Sequence, residues 1–153
     1  MSSDCSATSD HTSVTQCFGF YGNYTYTHSN VVKSVFGNKD EQALPGSPEH
    51  MANASLYFDK GGLNVRLSYN FTSAFQDDEE YQEEAQLRRY YDKVNYLDLN
   101  ASYTWGKDIK YTFYAAANNL LNQPLRYYQG EKDRTMQVEY YGVKLQAGFK
   151  LSF

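Results

Sequence analysis

No stretch of this 153-residue chain approaches the run of about 18 apolar residues that a membrane-crossing helix requires. Leucine is sparse and isoleucine occurs once, at Ile109, so the usual currency of a helical core is missing. Basic residues are outnumbered, and a formal net charge of −4 argues against a nucleic-acid partner. Cysteine is nearly absent. Cys5 and Cys17 show no metal-ligand spacing, and they would pair only in an oxidising compartment. The opening stretch, "MSSDCSATSDHTSVTQ", lacks the basic-then-apolar order of a signal peptide. We read residues 1–16 as a polar extension or loop remnant, and 17–153 as the folded part.

Aromatic residues are abundant: sixteen tyrosines and nine phenylalanines bring the aromatic share to 17%, a composition that suits pleated strands. A period of two recurs six times, in "FGFYGNYTYT", "ANASLYF", "LNVRLSYNFT", "LDLNASYTW", "IKYTFYAAAN" and from about Val143 to Phe153. Successive side chains on a strand point to opposite faces, so each run has an apolar and a polar side. The charges inside the runs, Arg66, Asp98, Lys110, Lys144 and Lys150, all fall on the polar side. One face therefore excludes charge, and several of the runs have the length that a tilted membrane-spanning strand needs.

The connections alternate in length. "DKGG" and "GKD" read as tight hairpin turns, whereas 28–50, 76–93 and 121–137 are long. A soluble meander has no reason to collect every long connection at one end; an outer-membrane barrel does, with short periplasmic turns and long outer loops. Aromatic placement agrees. Phe18, Phe58, Trp105 and Phe153 fall at the short-turn ends, while Tyr26, Tyr69 and Phe71 fall towards the long-loop ends, as in two interfacial girdles. The expected fold is all-β: an antiparallel transmembrane meander of about six strands. Single-chain bacterial barrels begin at about eight strands, and an open edge in lipid leaves backbone groups unpaired. The chain is accordingly expected to be the C-terminal part of a larger barrel.

The segments "NLLNQP", "LRYYQG", "EYYG" and the final strand together resemble the C-terminal end of TonB-dependent outer-membrane receptors, especially those of Bacteroidetes-type bacteria. "LPGSPEHMANASLYFDKGGLNVRLSYNF" is similar to the preceding hairpin of that family. The resemblance implies a plugged barrel of about 22 strands in the Gram-negative outer membrane, importing a siderophore, vitamin, glycan or peptide. It implies a C-terminus on the periplasmic side and four kinds of partner: outer-membrane lipid, the remaining strands with their plug domain, the TonB complex acting through an N-terminal part absent here, and the barrel-assembly machinery. By the same resemblance Gln146, Gly148, Leu151 and Phe153 form the assembly signal.

No nucleophile, base and orienting group fall together, so no enzyme is expected, and neither cofactor nor metal is implied. The acidic "DDEEYQEE" lacks the glycine and spacing of a calcium loop. Beside it stand Arg88, Arg89, Tyr90 and Tyr91, and further on Arg126, Tyr127 and Tyr128. Forked guanidinium groups and aromatic faces suit sugars and anions, so these seven are candidate ligand contacts in outer loops; the alternative is a solvated or self-packed loop. Two other architectures stay open at this point. One is a different outer-membrane barrel, a porin or an adhesin; the other is a soluble ligand-binding barrel with its apolar face turned inward.

Overall fold

In a computed structural model of the protein, residues 17–35, 38–77 and 88–153 are described, and every regular element among them is a β-strand. In chain order these are β1 (Cys17–Tyr26), β2 (Asn30–Val35), β3 (Asn38–Ala43), β4 (His50–Lys60), β5 (Leu63–Thr72) and β6 (Phe75–Gln76). Then follow β7 (Arg89–Tyr91), β8 (Val94–Trp105), β9 (Lys110–Asn118), β10 (Leu125–Gln129), β11 (Thr135–Glu139) and β12 (Lys144–Ser152). The six long strands form one antiparallel sheet in the order β1-β4-β5-β8-β9-β12. They coincide with the six alternating runs, and each pairs with the next in sequence. This is the wall.

Register carries the alternation from strand to strand. Phe20, Leu56, Leu67, Leu99, Ala117 and Leu145 are partners in turn across all six strands. One residue along, Gly19, Tyr57, Arg66, Asn100, Ala116 and Gln146 form the neighbouring row, on the opposite face. Polar rows are stitched by side chains: Asn53 Nδ2 donates to Asn23 Oδ1 at 2.9 Å, the Ser55 and Ser68 hydroxyls meet at 3.0 Å, and those of Thr104 and Thr112 at 2.9 Å. All five charges placed on the polar side lie there by register. Lys60 is the one formal charge whose register position falls in the apolar rows; it sits beside the turn, where a long amine stem can reach headgroups.

The wall has no core of its own. Among the described residues only Val94 and Tyr128 are buried hydrophobics, and neither lies in the middle of the sheet. Apolar side chains are barest on the two edge strands, with Phe20 at 70% and Leu145 at 76% exposure. A soluble barrel would turn this face inward and close over it; here the sheet is a single open layer with one side free of formal charge except for Lys60 at the turn. The wall thus has the membrane-strand character expected of it. Ring clusters mark both ends. Phe18 packs on Phe58 at 4.8 Å between centroids, and Trp105 lies 5.6 Å from Tyr103 and 5.8 Å from Tyr111, all near the short turns. At the other end Tyr24 hydrogen bonds His50 at 2.7 Å, and Tyr69 donates to Asn95 at 2.7 Å.

Both turns sit at one end, as expected, but the first is tighter than "DKGG" suggested. Asp59 and Lys60 remain in β4, and Gly61 and Gly62 alone make the reversal, with φ of 56° and 89°. Two glycines at positive φ match the twist of the flanking strands, which side-chain-bearing residues would resist. Two other glycines owe their place to contact rather than φ. A Cβ on Gly19 would fall within the Tyr57 ring, and one on Gly148 within the Tyr114 ring, each tyrosine being the glycine's register partner. Each ring covers the gap its partner leaves on the polar face.

The long connections depart from expectation. They are not plain loops: β2 and β3 form a hairpin within 28–50, while 76–93 and 121–137 contribute to a second sheet, β11-β10-β7-β6. Residues 1–16 and most of the acidic stretch "DDEEYQEE" lie outside the described residues.

The two faces of the wall give a paired test. In protein reconstituted in lipid, Leu67→Arg should lower unfolding free energy by about 2–4 kcal/mol, whereas Asn70→Arg on the other face should cost under about 1 kcal/mol. Guanidinium unfolding of the two variants measures the difference, and equal losses would mean the faces are misassigned.

Candidate functional site

Arg88, Arg89, Tyr90 and Tyr91 lie 35 or more positions from Arg126, Tyr127 and Tyr128, yet the second sheet brings them side by side. Tyr127 pairs with Tyr91, Tyr128 with Tyr90 and Gln129 with Arg89. The β6–β7 ladder keeps the register of β5–β8, so these strands prolong one hairpin past the wall. The next seam does not. If the register of β8–β9 ran on, Leu125 would face Tyr91; Tyr127 does so instead, two positions later.

That offset is absorbed in the corner at Asn119–Pro124, inside the "NLLNQP" motif. Asn119 and Asn122 adopt positive φ, 58° and 50°, a region asparagine tolerates better than most residues. Asp98, on the polar face of β8, accepts the Asn119 N–H at 2.9 Å. The Asn119 amide donates to the carbonyls of Gln123 and Gly142, both at 3.2 Å, and its oxygen accepts the Gln123 N–H at 2.8 Å. Gln123 Oε1 in turn accepts the Asn95 N–H at 3.3 Å. The motif is a hydrogen-bonded knee between wall and loop sheet.

Alternation divides the seven candidates. Tyr90 and Tyr128 stack at 5.2 Å with planes 10° apart, on the face shared with Arg126 and Asp92. Arg126 Nη1 contacts Asp92 Oδ2 at 2.8 Å, its guanidinium lies 5.9 Å from the Tyr128 ring centre, and it donates to Thr135 Oγ1 and to the Lys132 carbonyl. On the other face Tyr91 meets Phe75 and Tyr127, each at 5.3 Å. Arg89 is held there by Asp77 at 2.8 Å and stands 5.1 Å over Tyr127. Arg89 and Arg126 are thus each engaged by a carboxylate and a ring, so much of this cluster is packing that fixes the loop sheet. Tyr128 is buried, which removes it from direct contact with a ligand.

Sequence reasoning missed a further set of residues. Arg88 and Tyr90 border a cavity of about 260 Å³ whose opposite wall comes from Thr27, His28 and Glu49, above the β1–β4 seam. Thr27 N–H donates to the Glu49 carbonyl at 2.9 Å, carrying that ladder past β1. The Gly46 N–H donates to the Gln76 carbonyl at 2.8 Å and fastens the approach to β4 onto β6. No motif in the sequence flagged His28 or Glu49, because what joins them to Arg88 is spatial only.

Burial, and next the adjacent Tyr96, push the Tyr91 phenol from 10.0 up to about 12. Folding therefore favours its neutral form, a stabilisation present below the ordinary value and lost as pH rises through about 12. Amide exchange in β7 and β10 should accelerate over that window, and Tyr91→Phe should abolish this component. A second test concerns the knee. Asn119→Ala should destabilise the loop sheet by roughly 2–4 kcal/mol and Asn119→Gly by about 1 kcal/mol less, since glycine restores φ but not the hydrogen bonds. Protection of Leu125–Gln129 against exchange reads both.

No curated protein and no solved structure gives a match. A protein-family model does match, the one described as TonB dependent receptor-like, beta-barrel, over residues 6–120. The match includes five of the six wall strands and stops before β12, so the final strand and its tag lie beyond it. With open antiparallel wall strands of membrane character and a family match over most of its length, this chain belongs to the TonB-dependent receptor-like β-barrel family of outer-membrane transporters.

Proposed function

We propose that the chain supplies six strands of wall, and the loop sheet above them, to a TonB-dependent transporter that takes up a small ligand recognised at its outer end. The observation that carries this is the wall itself: a face whose one formal charge, Lys60, sits beside a turn, with both tight turns at one end and all extended connections at the other. β1 and β12 each have a partner on one side only among the described residues. In lipid such edges cost several kcal/mol per unpaired backbone group, so further strands must complete the ring. The polar face then lines a lumen occupied by a plug, and the TonB complex acts through that plug rather than through these residues.

In this reading the short turns and the C-terminus are periplasmic. Gln146, Gly148, Leu151 and Phe153 act as the signal read by the barrel-assembly machinery. Gly148 has a second reason for being glycine, the Tyr114 ring that covers it, so the signal and the fold require the same residue. Arg88 and Tyr90 serve as ligand contacts in the cavity wall, while Arg89, Tyr91, Arg126, Tyr127 and Tyr128 hold the loop sheet in shape.

An outer-membrane fraction from the source cell, blotted with an antibody to the last strand, tests this. We expect a heat-modifiable band several times larger than 17.6 kDa. A band at 17.6 kDa, or one confined to the soluble fraction, would remove the transporter reading.

A further inference from the structure

A filled lumen needs two matching surfaces, and the charges on the polar face of the wall describe the one that is not here. We infer that β5, β9 and β12 form a docking strip for an acidic protein surface, with Arg66, Lys110, Lys144 and Lys150 as its contacts. The inference rests on the transporter reading for the body that carries this surface, the plug.

The chain as a whole is acidic, with 18 aspartates and glutamates against 14 lysines and arginines. The polar face of its wall is the reverse: the ladders set those four cations there against only Asp59 and Asp98. Both carboxylates are already engaged, Asp98 by the Asn119 N–H at 2.9 Å and Asp59 by Asn64 Nδ2 at 3.2 Å. Asp98 stands opposite Ser68, two residues along β5 from Arg66, yet it turns to the knee and forms no ion pair with the guanidinium. Neutral groups on this face satisfy one another, as Ser55 does with Ser68 and Thr104 with Thr112. Among the described residues none of the four cations has a hydrogen bond or an ion pair, and all four are exposed.

Spacing decides what can meet them. Six residues of β12 separate Lys144 from Lys150, about 20 Å, and Arg66 lies three strands from β12, about 14 Å across the sheet. A small anion could touch one or two of these groups; only an extended surface reaches all four. Ammonium and guanidinium groups donate and have no acceptor, so that surface must accept, and carboxylates accept while cancelling charge. Lys110 and Lys150 sharpen the need. Lys110 lies opposite Ser152 and Lys150 opposite Thr112, so two like charges are diagonal neighbours at the short-turn end, with no carboxylate in contact with either. Inside a closed barrel the lowered dielectric strengthens that repulsion, and equally the attraction of carboxylates brought against it. Arg66, in mid-strand, adds a fork that fits one carboxylate through two parallel hydrogen bonds.

Hydrogen exchange on the full-length receptor, purified in detergent once its heat-modifiable band is established, tests the inference. Lys144→Glu with Lys150→Glu should speed exchange on the plug surface roughly tenfold, while amides of β8 and β9 keep their wild-type rates. Lys144→Gln with Lys150→Gln, which keeps size and polarity, should speed it about threefold, and this pair carries the test if the charge-reversed barrel fails to assemble. Arg66→Lys should loosen the plug less than Arg66→Gln, because lysine restores the charge without the fork. Plug exchange that stays at the wild-type rate in an intact barrel of either double variant would overturn the docking and leave the four cations lining a water-filled path. A band at 17.6 kDa would remove the transporter reading and the plug with it, and the blot reports that before any exchange is measured.

Discussion

Every backbone N–H and C=O placed in hydrocarbon must find a partner within the protein, and the rest of this structure follows from that requirement. It forces strands where no apolar helix exists, and it forces each strand to lie between two others. It also forces the sequence into alternation, because a strand in a one-layer wall has lipid on one side and a polar interior on the other. The rows running from Phe20 to Leu145 and from Gly19 to Gln146 show that alternation kept in step across six strands. A slip of one residue in β5 or β8 would put Arg66 or Asp98 into lipid, and one in β12 would do the same to Lys144 and Lys150, so the register there is held by the cost of the error.

The same requirement explains why so little of the chain is buried. An ordinary domain of this length hides a hydrophobic centre, but the wall delegates that task to lipid: among the described residues only Val94, Gln76 and Tyr128 are buried, the last two in the loop sheet. Stability within the sheet comes instead from ladders, from polar cross-strand pairs such as Asn23 with Asn53, and from rings laid over glycines. Above the wall the solvent changes to water. There the chain turns to stacked tyrosines and arginine–carboxylate pairs, the devices of a small soluble sheet.

The wall was legible in the sequence because its signal is repetitive and local: period two, charge on one side, glycines at a reversal. The loop sheet was not. β6 is two residues long and β7 three, too short to show any period, and the pairing of Tyr90 with Tyr128 joins segments that nothing in the sequence connects. The candidates Arg88 to Tyr91 and Arg126 to Tyr128 were found as chemistry-bearing residues, and structure reveals that alternation gives neighbours different tasks. Arg88 reaches the cavity while Arg89 is tied to Asp77. His28 and Glu49 carried no signal, since each is an ordinary polar residue until the fold sets it opposite Arg88.

The knee at Asn119 links these two regimes. The loop sheet keeps one arrangement only if it is held at a fixed height and angle to the wall, and a simple continuation of β9 would hold Tyr127 two positions out of place. Asp98 settles the matter from within the wall: its carboxylate faces the polar interior, where it is tolerated, and reaches up to the Asn119 N–H. Asn119 then fastens Gln123 on one side and Gly142 on the other, so the strands entering and leaving the loop sheet are tied at one point. Because Tyr128 in β10 is stacked on Tyr90 in β7, the position set at that point passes on to the cavity wall. The cavity wall inherits its geometry from a charge that lipid would have excluded from the opposite face.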